Sequence, residues 1–210
     1  MIPFRIGADA RCTDGACGQV SRIIVRPVTR EVTHLAVDPG RQGGPGRLVP
    51  VDLVDATTGQ IRLGCTLAEF QALGPAQEAA SVPGLDPTGQ PNAPNRVNWA
   101  VRIHAARDPS KAPPRQVWVD CVPIGEVDIR RELTVCSADG EIGQVEGLLV
   151  EPGGHQITHV LLQKGHLPGR KEVAIPIGAV TKIGTMLVHV SLTKHQVKDL
   201  PPVDIDHPAG

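Results

Sequence analysis

The chain has 210 residues, 21 basic against 22 acidic side chains and a pI near 6.7. A nucleic-acid module normally carries a basic face or a pI above about 9, so this balance disfavours direct nucleic-acid binding. Two Phe, two Trp and no Tyr leave few aromatic platforms for stacked bases, and no apolar run approaches the roughly 20 residues that cross a bilayer.

The length suits two small domains better than one. With 23 Gly and 20 Pro in an apolar chain, many short strands and turns are expected. The start, Met1-Ile2-Pro3-Phe4-Arg5, has neither the basic region nor the apolar stretch of a signal peptide. The five Cys are scattered and odd in number, which points to reduced thiols and a cytoplasmic location.

A first domain is expected over residues 1–74. Asp14-Gly15 is a turn signal, with Gly supplying a positive φ. Gly18–Val25 reads as a strand whose Ile23-Ile24-Val25 run breaks alternation, which predicts a bulge or burial on both faces. Glu31–Val37 is the next strand, residues 38–46 are a loop, and Leu48–Val54 and Gln60–Leu63 are further strands. Thr66 with Glu69 three residues on forms a capping box, opening a helix to about Leu73 that Gly74-Pro75 ends.

Residues 75–95 hold Pro75, Pro83, Pro87, Pro91 and Pro94 and read as a linker that sustains neither ladder nor helix. In residues 96–125 apolar positions alternate over Val97–Ile103 and again over Val117–Cys121, an extra β-hairpin. A second domain is expected over 126–203, with strands Leu133–Cys136, Ile142–Val150, Gln156–Lys164, Glu172–Ile177 and Met186–Val190, and a closing helix capped by Thr193. Residues 204–210 are a tail.

The two domains are copies. Asp14-Gly15-Ala16-Cys17-Gly18-Gln19-Val20 recurs as Asp139-Gly140-Glu141-Ile142-Gly143-Gln144-Val145, and the same spacing carries Val32-Thr33-His34-Leu35 onto Ile157-Thr158-His159-Val160. After one gained residue Val49-Pro50-Val51 meets Ile175-Pro176-Ile177; after another, Thr66 meets Thr193. Four blocks in one order establish a tandem duplication.

These blocks resemble the PRC-barrel family, the barrel shared by the photosynthetic reaction-centre H subunit and the ribosome maturation factor. The likeness rests on Asp-Gly-x-x-Gly-Gln-Val, the Thr-His strand, the Val/Ile-Pro-Val/Ile step and the Thr-capped end. In the second copy it extends to Pro123–Val127 and to residues 165–176. The resemblance implies a mainly β protein: two small antiparallel PRC-type β-barrels in tandem, each closed by a short C-terminal helix and joined by the linker and hairpin. It also implies binding or assembly work without a cofactor. The chain departs from the H subunit in having no transmembrane helix, and from the maturation factor in having a second PRC-like copy in place of its N-terminal part.

Asp14 and Asp139 read as turn residues before exposed acidic contacts. His34 and His159 occupy one duplicated mid-strand position, which favours a structural role over titration or ligation. His155, His159 and His166 are weak metal candidates, because three imidazoles can hold zinc but this spacing matches no established motif. Cys12 and Cys17 flank the first turn; a disulfide there needs Cα atoms within about 7 Å, and a buried free thiol is the plainer reading for them and for Cys65, Cys121 and Cys136. Candidate interaction residues are Trp99 and Trp118, a possible cross-strand pair, and the basic Arg130, Arg131, Arg170 and Lys171 with His166.

No Gly-x-Ser-x-Gly elbow, phosphate loop or His-Glu-x-x-His stands in the chain. The leading expectation is a non-enzymatic protein that binds a protein partner or a second copy of itself. The alternatives are a ribosome-associated factor touching a ribosomal protein, and metal or small-ligand sensing through the histidines.

Overall fold

A computed structural model describes residues 1–40, 45–57, 60–82, 115–131, 133–153, 155–163 and 172–200. The described residues form two compact units, one from Met1–Ala76 with Val122–Gly210 and one from Gln77–Cys121. Both copies of the duplication belong to the first.

The first copy runs β1 (Ile2–Arg5), β2 (Asp9–Cys12), β3 (Gly15–Arg26), β4 (Glu31–Asp38), β5 (Arg47–Pro50), a 3-10 turn (Val51–Leu53), β6 (Val54–Thr57), β7 (Gln60–Leu63) and α1 (Leu67–Ala72). The smaller unit holds β8 (Gln77–Val82) and β9 (Arg115–Asp120). The second copy runs β10 (Val127–Ile129), β11 (Thr134–Ser137), β12 (Gly140–Val150), β13 (Ile157–Gln163), β14 (Glu172–Pro176), a 3-10 turn (Ile177–Ala179), β15 (Val180–Ile183), β16 (Leu187–Val190) and α2 (Lys194–Asp199).

One sheet has the order β5-β4-β3-β2-β7-β6, with β10 also on β3; the other has β14-β13-β12-β11-β16-β15, with β1 also on β12. The fold is therefore mainly β and duplicated. The expected barrels are corrected, however. Among the described residues β5 is not paired with β6, nor β14 with β15, so neither sheet closes. Closure is one way to hide an apolar face. Here a single cluster of buried side chains, from Phe4 through Val37 and Leu133 to Val197, draws on both copies and hides both faces.

The strand before each copy is exchanged. β1 precedes the first copy yet pairs with β12 of the second, Ile2 opposite Val150 and Phe4 opposite Leu148. β10 precedes the second copy yet pairs with β3 of the first, Val127 opposite Val25 and Ile129 opposite Ile23. Ile2 and Val127, like Leu148 and Ile23, are repeat equivalents, so the two pairings are one arrangement used twice. Glu31 bridges its own equivalent, Gln156, and flanking bonds run from Val32 N to His155 O (2.8 Å) and from Ile157 N to Arg30 O (2.9 Å). A bridge between a residue and its own copy places a local two-fold axis there.

β3 shows why its apolar run defies alternation. Its register slips between Ile24 and Val25, and Ile24 turns to the other face to pack on Ala36 and Ala76, while Ile23 and Val25 enter the main core. The second copy repeats this with Leu149, Leu161 and Ala174.

Other expectations need amending. Leu48–Val54 is not one strand, because the 3-10 turn after Pro50 divides it. Gly140 has a positive φ of 119° but Gly15 is not among the positive-φ residues, so the two Asp-Gly turns differ. Gln77–Val82, assigned to the linker, is a strand on β9. Its six residues fall between Pro75 and Pro83 and keep every backbone N–H, so the proline argument does not reach them. The strand expected over Val97–Ile103, most of the linker and the tail lie outside the described residues.

Candidate functional site

The duplicated motif fastens helices. Asp14 Oδ1 accepts from Leu67 N at 2.8 Å, and Asp139 Oδ1 accepts from Lys194 N at 2.8 Å. Each amide belongs to the first helical residue, which has no partner inside its helix. Thr66 with Glu69 and Thr193 with Gln196 complete reciprocal capping boxes. The Asp139 carboxyl is held below its usual range by the Ser137 hydroxyl 2.6 Å away and then by the Lys194 amide; Glu69 is lowered by the Thr66 amide and hydroxyl.

The duplicated Thr-His pair differs between copies in what it meets. Thr33 donates to Glu126 Oε2 at 2.6 Å, and Arg26 donates to Glu126 Oε1 at 3.0 Å. His34 Nδ1 stands 3.1 Å from the Thr33 hydroxyl and 3.8 Å from Glu126. Glu126 leads into β10, so this polar group ties the exchanged strand to the first sheet. Its repeat equivalent is Met1. Thr158 accordingly faces Met1 Sδ at 3.5 Å and donates to Leu149 O at 3.1 Å, while His159 Nδ1 is buried with no hydrogen-bond partner among the described residues. That burial pushes the His159 pKa down.

Two of the three weak metal candidates fall among the described residues. His155 Nε2 faces Asp52 at 3.5 Å, His159 is enclosed as described, and His166 lies outside the described residues. Among the described residues no three His, Cys, Asp or Glu side chains are grouped to hold a metal ion. Arg130 pairs with Asp128, and Arg131 donates to Ile6 O at 2.7 Å, joining the copies. Arg170, Lys171 and Trp99 lie outside the described residues.

Trp118 sits on β9 opposite Ala79 and is 63% exposed. Among the exposed apolar residues not singled out in the sequence are Val28, two residues after Arg26, and Ile124, two before Glu126. They flank the two ends of one ion pair, Arg26 with Glu126. The offset between copies also holds a signal for Glu126, since it sets that carboxylate opposite an N-terminal Met.

No protein-family model matches the chain, and no curated protein matches it. Among the described residues no helix is long and apolar enough to cross a membrane.

Proposed function

We propose that this chain is a non-catalytic interaction protein of the PRC-barrel kind, in which the duplicated β unit and the smaller two-stranded unit each carry surface for a protein partner. The observation that carries this reading is Trp118: a large aromatic side chain left mostly in water on a short two-stranded sheet. Trp is over-represented among residues that dominate binding energy, because it buries much area at small entropic cost. Val28 and Ile124 add exposed apolar surface at the seam of the two copies. The Asp-Gly motif supports the same reading, since its carboxylates are spent on helix amides.

The test is a side-by-side capture from native lysate with the full chain and its Trp118→Ala variant, checked first for equal thermal stability. A partner retained by the wild type and lost tenfold or more by the variant is the expected result. Equal retention by both, or retention by neither, contradicts the assignment of Trp118 as the anchor.

A further inference from the structure

Cys12, Cys17 and Cys65 come together at one end of the first sheet, although Cys65 is 53 residues from Cys12 in the chain. β2 ends at Cys12 and turns back into β3, where the register slips between Ala10 and Arg11 and sets Cys17 on the buried side with Cys12. β7 runs parallel to β2, and Thr13 N donates to Cys65 O at 3.0 Å, which brings the third thiol alongside. Cys12 and Cys17 are buried on the same side of the β2–β3 hairpin, and Cys65 follows β7, the strand beside β2.

The second copy carries no such group. Its equivalents are Ser137, Ile142 and Leu192. Three separate positions, on two strands and a helix lead-in, all hold Cys in one copy and none in the other. Shared packing needs would have acted on both copies alike, so the thiols answer to something only the first copy does. Cys12 also lines a groove of about 630 Å³ with Arg11, Asp14, Asp55 and Arg62, which opens a path for a small solute.

We propose that Cys12, Cys17 and Cys65 form a thiol–disulfide site with Cys12 as its hub, oxidised by hydrogen peroxide. A Cys12 thiolate, at the groove, attacks one peroxide oxygen; the S–O bond forms, the O–O bond breaks, and hydroxide leaves to be protonated to water. The Cys17 sulfur then attacks the sulfenic sulfur of Cys12; the S–S bond forms, the S–O bond breaks, and the departing hydroxide takes the Cys17 proton as a second water. Two thiols have given up two electrons and two protons to one peroxide. Cys65 can then attack the Cys12 sulfur and release Cys17 as a thiol, moving the bond to the start of α1.

Burial first, then its neighbours, push the Cys12 thiol up to about 12 and the Cys65 thiol up to about 11. Cys17 is raised by burial too. The reduced site is therefore stable at rest and answers to sustained oxidant.

The experiment treats reduced full-length protein with hydrogen peroxide under native conditions, alkylates the remaining thiols and maps tryptic peptides without reduction. Residues 12–17 contain no Lys or Arg, so a Cys12–Cys17 bond appears as one unalkylated peptide lacking two hydrogens. That bond is expected in the wild type, reversed by dithiothreitol, with Cys121 and Cys136 still alkylated. In Cys17→Ser the bond is expected to move to Cys12–Cys65. Cys12 remaining alkylatable in the wild type overturns the proposal, as does oxidation confined to Cys121 and Cys136, to bonds between chains, or to sulfinic and sulfonic acids.

Discussion

At His34 the ring nitrogen meets a hydroxyl and a carboxylate; at His159 the same atom is enclosed with no partner among the described residues. A neutral imidazole tolerates such a site better than an imidazolium, which is why the His159 pKa falls below the ordinary 6.5. The sign follows from linkage. The unfolded chain takes up this proton first as pH falls, so the contribution of His159 is fully present above about 6.5 and is lost as pH falls through the lower folded value. His159→Leu removes both the titration and the unsatisfied nitrogen. Its unfolding free energy, from urea melts between about pH 7 and about pH 5, is expected to fall less steeply than that of the wild type. An unchanged slope would place the pH dependence elsewhere. The Thr-His strand was legible from its repetition, but the two environments were not, because they are made by Glu126 and Met1, which stand outside the repeated blocks.

Between elements the exchange of β1 and β10 governs the architecture, and one glycine is built around it. A Cβ at Gly147 would run into the Phe4 carbonyl and press on Arg5 Cα. The first copy carries Arg22 at the equivalent position, where β10 pairs only from Val127 to Ile129 and makes no such approach. Gly147→Val should therefore push β1 off β12 while leaving the first sheet intact. Hydrogen exchange of the Phe4 and Ile6 amides is expected to rise at least tenfold, with little change at Val32 and Leu35. Unaltered protection of Phe4 and Ile6 would show that β1 is held by other contacts. The capping boxes were legible as local patterns with a fixed three-residue reach. The exchange was not, because strands of three or four residues carry almost no periodic signal and nothing in their sequence names a partner in the other copy. The linker prolines likewise hid β8, a proline-free strand between two of them.

For the unit that contains both copies, one core and two exchanged strands imply one cooperative structure, not two adjoining domains. The duplication that reveals the fold class in the sequence also invites the tandem reading; what replaces it is the core running from Phe4 to Val197 through both copies. The thiol group belongs to this scale too, since its members are separated in sequence and only the parallel pairing of β2 with β7 assembles them. The most direct test of the interlocked unit is native-state hydrogen exchange on the full chain carrying Leu148→Ala. Leu148 is fully buried in the second copy opposite Phe4, and its truncation should cost about 2–5 kcal/mol. If the copies unfold together, the most protected amides of β3 and β4 lose the same free energy as those of β12 and β13. Loss confined to β12, β13 and β1, with β3 and β4 unchanged, would contradict the account.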